Sequence, residues 1–130
     1  MPESLPDQSV ADFERPVFDR LIDDIGRETA FEALSVFLSE TGPQLRRMGE
    51  LLASGDRTHL KRDAHSLKSA SATLGFMGFS AAAKHVESVA ETLAPAELLA
   101  LLPTLDQRFL AACRAASRLT SENAPGEGRS

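Results

Sequence analysis

Ala64-His65-Ser66-Leu67-Lys68-Ser69-Ala70-Ser71-Ala72-Thr73-Leu74-Gly75 lies in the middle of the chain and carries one of its clearest amphipathic patterns. Wound as a helix at about 100° per residue, it sorts its side chains cleanly. Leu60, Ala64, Leu67, Ser71 and Leu74 fall on one face. His65 falls almost opposite, with Thr58, Lys61, Arg62, Lys68, Ser69 and Ala72 around it. The spacing predicts an amphipathic helix from about Arg57 to Gly75 that buries the leucine face. The imidazole should point to solvent, with cations one turn before it and one turn after it.

The flanking sequence extends the helical pattern both ways. Upstream, Ser54-Gly55-Asp56 reads as a stop followed by a start. Gly55 suits the left-handed position past a helix end, and Asp56 suits the next N-cap. Phe31, Leu34, Phe37, Leu38, Leu45, Met48 and Leu52 keep helical spacing from about Glu28 to Ala53. Gly42-Pro43 interrupts that run, and because the pattern resumes in phase a kink is expected there. Val17, Phe18, Leu21, Ile22 and Ile25 give a short helix ending near Gly26. Downstream, Gly75 and Gly78 are expected to flank a turn containing Phe76 and Met77. A helix carrying Phe79, Ala82, Ala83, Val86, Val89, Ala90 and Leu93 follows. The last helix starts near Pro95, with Pro103 making its beginning irregular or delayed. No strand alternation occurs anywhere. The expected fold is all-α: an antiparallel four-helix bundle over residues 15–119 with a short N-terminal capping helix. Residues 1–14 read as a flexible leader and residues 120–130 as a disordered tail.

A chain of 130 residues is one domain by length, and 42% hydrophobic content is enough for a self-standing core. No apolar run reaches the length of a membrane span. Met1-Pro2-Glu3-Ser4-Leu5-Pro6-Asp7 lacks the basic start of a secretory signal. The single Cys113, on an apolar stripe, cannot form an internal disulfide. Together these place the protein in the cytoplasm. The formal net charge is −5, but it is unevenly spread. Residues 1–40 carry ten acids against three bases, whereas residues 41–90 carry seven bases against four acids. A locally basic middle in an acidic protein points to an acidic protein partner and away from nucleic acid. A solvated helix face produces the same charge pattern.

A neutral imidazole has a pKa of about 6.5 and is a good nucleophile near neutrality. It can take up a phosphoryl group covalently, and the group's negative charge then needs cations within reach. The middle of a helix offers no terminal dipole for that purpose. Lys68, at i+3 on the same side, and Lys61 and Arg62 one turn earlier, are the candidates. Metal binding is not expected. His59, His65 and His85 lack the i, i+4 spacing of a helical site, and no cysteine cluster accompanies them.

These residues resemble the histidine phosphotransfer (HPt) domains of two-component phosphorelays. The family pattern is a histidine, any residue, an apolar residue, a lysine and a glycine, with a further glycine several residues on. Here it reads His65-Ser66-Leu67-Lys68-Ser69 and then Leu74-Gly75. Phe37-Leu38 before Thr41-Gly42-Pro43, Gly55-Asp56 and Val86-Glu87 are similar to further landmarks of the family, in order. The resemblance covers most of residues 15–118. It implies a phosphoprotein whose His65 carries a phosphohistidine, taking the phosphoryl group from one receiver-domain aspartate and passing it to another. Lys68 would stabilise the group. Lys61, Arg62, Ser69 and Ala72 would meet the partner, and Glu87 would support the site from behind. The implied partners are response-regulator receiver domains and a (hybrid) sensor histidine kinase, with neither nucleic acid nor membrane, and the chain itself a monomer. The chain would bind no cofactor and would not phosphorylate itself from ATP, since it has no Gly-x-x-x-x-Gly-Lys loop. Mg2+ would belong to the receiver. Ser69 departs from the family glycine: it either narrows the approach or lends its hydroxyl to the imidazole or the phosphoryl oxygens. The alternative reading is a helical adaptor that binds receivers without any transfer.

Overall fold

The computed structural model describes residues 12–123. Five helices run through them: α1 (Arg15–Ile25), α2 (Arg27–Ser54), α3 (Arg57–Leu74), α4 (Met77–Val89) and α5 (Pro95–Asn123). Among the described residues there is no strand and no helix long and apolar enough to cross a membrane. α2 packs on α3 and α5, α4 packs on α3 and α5, and α1 lies against α2 and α3.

The α2–α3 turn forms as its residues dictate. Gly55 takes a left-handed conformation, φ 81°, and Asp56 accepts the His59 backbone N–H at 3.1 Å. Neither proline ends its helix, and the delayed start expected at Pro103 does not occur. α2 is one helix through Pro43, and α5 contains Pro103. Both prolines are exposed, so each forfeits its backbone bond on the wet side of its helix, where water solvates the released carbonyl. Leu34, Phe37, Thr41, Met48 and Leu52 consequently stay buried along the whole length of α2. Gly78 is a buried residue of α4 and not the end of a turn.

The ends of the expected domain also move. Residues 1–11 of the expected leader and 124–130 of the expected tail lie outside the described residues. The described ends are tied down. Glu14 donates its backbone N–H to the Gly75 carbonyl at 2.8 Å. Asp12 meets Arg108 at 2.8 Å, and Arg15 reaches Asp19 at 3.1 Å and Glu122 at 2.9 Å. α5 therefore stays helical beyond residue 120. Gly75 holds the α3–α4 turn at φ 100°, and a Cβ there would stand 2.8 Å from the Glu14 carbonyl oxygen. Only glycine satisfies both the dihedral and that close approach.

The core joins all seven phenylalanines. Phe31 meets Phe18 edge-on at 5.2 Å between centroids, Phe18 meets Phe13, and Phe13 packs on Phe76 at 5.2 Å. Phe76 stacks on Phe37 at 5.5 Å, and Phe37 meets both Phe79 and Phe109. α3 supplies no aromatic ring. It is held by Leu60, Ala64, Leu67 and Leu74 and by buried Asp63, whose two oxygens accept from Arg47 at 2.6 and 2.9 Å. Cys113 is half-buried, which pushes its thiol pKa up.

Phe37 touches three other rings and is nearly inaccessible, so Phe37→Ala should cost about 3–5 kcal/mol of stability. Urea unfolding checks this. A loss below about 1 kcal/mol would mean that the aromatic series is not the centre of the core.

Candidate functional site

The site is built where α4 crosses the outer side of α3. One buried hydroxyl ties α4 to α3, and a second is satisfied within α3. Ser80 on α4 donates to the Lys68 carbonyl at 3.0 Å, and Ser71 donates to the Leu67 carbonyl at 2.7 Å. Glu87 lies two turns beyond Ser80 on α4 and so arrives opposite His65 and Lys68.

There one carboxylate holds two residues. Glu87 Oε2 stands 2.8 Å from His65 Nδ1, and Glu87 Oε1 stands 2.8 Å from Lys68 Nζ. Glu87 is 19% exposed, whereas the His65 side chain is 58% exposed. The Lys68 ammonium, first, and His65 hold the Glu87 carboxyl below the usual carboxylate range, against a burial that acts the other way. An ionised carboxylate only accepts hydrogen bonds, so Nδ1 must be the donor. The neutral ring then keeps its lone pair on Nε2, the nitrogen turned away from Glu87. An exposed imidazole has thereby been given one tautomer and one direction.

The remaining predicted residues lie on the same side of α3 but differ in state. Lys61 is paired with Glu91 at 3.3 Å, and both are about half-exposed. Arg62 is exposed. Its charge adds to the lowering of the Asp56 carboxyl, which the His59 backbone N–H chiefly causes. Ser69 is exposed, and its hydroxyl makes no hydrogen bond among the described residues, while Ala72 is half-covered. His59 is exposed and bonded to Asp56 at 2.7 Å, and His85 is exposed on α4. Among the described residues no three His, Cys, Asp or Glu side chains gather as a metal would require.

The basic patch expected around His65 is thus largely compensated. Glu87 from α4 and Glu91 from the turn that follows it neutralise Lys68 and Lys61. Counting charge along the chain could not find this, because the two acids reach α3 only through the packing of α4. Ser80 carries no sequence signal either: its part comes from the position of α4 against the Lys68 carbonyl. The other flank of α3 is apolar. A groove of about 420 Å³ separates it from α2, edged by Val36, which is 52% exposed, and by Ser66 and Ala70 beside His65.

The family model described as Hpt domain matches residues 32–117, which is 86 of the 130 residues and runs from the first turns of α2 into the last turns of α5. No curated protein and no solved structure matches the chain.

The Glu87 carboxyl titrates lower in the folded chain than its unfolded value of about 4.3. The stability it adds is therefore present above that value and is lost as pH falls through the folded one. The gap in melting temperature between wild type and Glu87→Gln should hold near neutrality and close below about pH 4. A gap that persists in acid would assign Glu87 a packing role and not an electrostatic one.

Proposed function

The chain belongs to the Hpt domain family, and from that premise we propose that it is a phosphoryl carrier in which His65 takes a phosphoryl group from a receiver-domain aspartate and yields it to another receiver. The observation that carries this reading is the exposed imidazole anchored at Nδ1 by Glu87 with Nε2 left outward.

The step follows from that geometry. The Nε2 lone pair attacks the phosphorus of the aspartyl phosphate. The N–P bond forms, the P–O bond to aspartate breaks, and aspartate leaves as a carboxylate. The ring is then substituted on Nε2 and protonated on Nδ1, and so carries a positive charge. The Glu87 carboxylate, 2.8 Å from Nδ1, balances it. Lys68 shares the same carboxylate and swings its ammonium toward the transferred oxygens. Return transfer runs the same step backwards. Lys61, Arg62, Ser69 and Ala72 form the rim that meets the receiver. Mg2+ belongs to the receiver's own acidic pocket, and this chain binds no cofactor. The phosphoryl group enters the relay from a sensor histidine kinase.

The same reading takes α2–α5 as an antiparallel four-helix bundle with α1 capping it. The closed cycle of packed pairs and the two-residue turn at Gly55-Asp56 support this. It also places the chain in the cytoplasm, consistent with one unpaired Cys113.

Incubation with a phosphorylated receiver tests the assignment. His65→Gln should accept no acid-labile phosphate while melting within a few degrees of wild type, because an exposed position shifts stability by less than about 0.5 kcal/mol. A labelled mutant would sink the assignment. Wild type that binds the receiver and gains no label would identify an adaptor.

Lys68→Ala should slow transfer about ten- to hundredfold and shorten the life of the phosphohistidine, since a charge-assisted contact contributes roughly 1.5–3 kcal/mol. Wild-type single-turnover rates would remove Lys68 from the step. Ser69→Gly should preserve or raise the transfer rate, because Ser69 projects from the face where the receiver approaches, and should cost about 0.5 kcal/mol in helix stability. Slower transfer by both Ser69→Gly and Ser69→Ala would assign the hydroxyl a direct role.

A further inference from the structure

Glu87 divides its two oxygens between a ring and a cation. Oε2 stands 2.8 Å from His65 Nδ1, and Oε1 stands 2.8 Å from Lys68 Nζ. In the resting chain the ring is neutral, so the carboxylate has one cationic partner, Lys68. Phosphorylation on Nε2 changes this. The ring keeps its Nδ1 proton and becomes a cation, and the phosphoryl oxygens draw the Lys68 ammonium away. Glu87 exchanges one cation for the other and is left unpaired in neither state.

The surrounding charges do not compete for the ring. Glu91 is held by Lys61, and Asp63 by Arg47. Glu40 of α2 lies across the groove that Ser66 edges. Lys84 and His85 of α4 line the groove against α5, and the start of α1 bonds to Gly75, at the end of α3. Arg62 shares the His65 side of α3 and is exposed. Among the described residues no carboxylate besides Glu87 bonds to the ring.

The Nδ1 proton decides whether the phosphoryl group can be given away. When the N–P bond breaks, its electron pair returns to Nε2. A ring protonated at Nδ1 leaves as neutral imidazole. A ring that has lost that proton must leave as an imidazolide anion, a far poorer leaving group. An ordinary imidazole loses its proton near pH 6.5. An ionised carboxylate bonded to the N–H opposes that loss, and a close opposite charge shifts such a titration by about one to three pH units.

Given the carrier reading, on which this rests, we propose that Glu87 is a positioning residue that holds the Nδ1 proton on the phosphorylated ring above neutral pH, so that the phosphoryl group stays transferable and is not stored. In donation the N–P bond breaks, a P–O bond forms to the receiving aspartate, the proton stays on Nδ1, and Lys68 returns to Oε1.

Chemical phosphorylation with phosphoramidate, followed by nitrogen-15 NMR of the His65 ring, tests this. Phosphorylated wild type should keep its Nδ1 proton to a pH about one unit or more above that of phosphorylated Glu87→Gln, whose amide oxygen accepts from Nδ1 but carries no charge. The ratio of wild-type to Glu87→Gln donation rates, with one receiver domain, should rise about tenfold per pH unit above the midpoint of the variant. Lys68→Ala should donate more slowly at every pH with the wild-type profile, which separates proton retention from charge on the phosphoryl oxygens. Loss of the proton at the same pH in wild type and Glu87→Gln overturns the proposal, and so does a rate ratio that does not change with pH. Both results leave the carrier reading standing, since the ring is phosphorylated in each. A His65 that takes no phosphoryl group from phosphoramidate or from a phosphorylated receiver overturns both.

Discussion

One unbroken series of ring contacts, from Phe31 through Phe18, Phe13, Phe76 and Phe37 to Phe79 and Phe109, sets the relation of nearly every element. With no tryptophan or tyrosine in the chain, these rings are its whole aromatic complement. Aromatic pairs add roughly 0.5–1.5 kcal/mol each beyond the area they bury, and their preferred angles restrict how elements meet. Phe76 is the pivot. It lies in the α3–α4 turn, and its burial between Phe13 and Phe37 fixes where α4 begins. The position of Glu87 follows from that, and with it the direction of His65. α3 takes part only through the turn that ends it, so its outer face is free of bulky rings.

The carboxylate of Glu87 joins packing to chemistry. It is mostly covered, yet it contacts a residue that is mostly exposed. An exposed imidazole on its own would rotate between orientations and exchange tautomers. One fixed acceptor 2.8 Å from Nδ1 removes both freedoms. The same acceptor keeps Lys68 beside the ring without burying its charge. Three side chains from two helices therefore behave as one unit, and the hydroxyl bond from Ser80 to the Lys68 carbonyl keeps the helices from sliding apart.

Much of this was legible from residue order. The faces of α3 follow from the spacing of Leu60, Ala64, Leu67 and Leu74, and the α2–α3 turn follows from Gly55 and Asp56, because these are local rules of period and capping. The all-helical fold and the exposure of His65 were legible for the same reason. Pro103 misled, since whether a proline delays a helix depends on which side of the helix faces water. The charge around His65 misled too, because Glu87 and Glu91 approach Lys68 and Lys61 only across the packed helices. The clamp at residues 12–14 had no local signal: polar residues near a chain end look mobile until Gly75 offers a carbonyl and Arg108 a guanidinium.

Those clamps bring the first and last described helices together. Asp12 on Arg108 and Arg15 on Glu122 join residues that are 96 and 107 positions apart in sequence. The first and last described stretches are thus bridged by side chains across the bundle. A segment trimmed to the described residues meets the usual condition for circular permutation, with new ends at the exposed residue Gly55. It can also be inserted into a loop of another protein, since entry and exit need little separation. The module can thus be moved between chains without disturbing the face that bears His65.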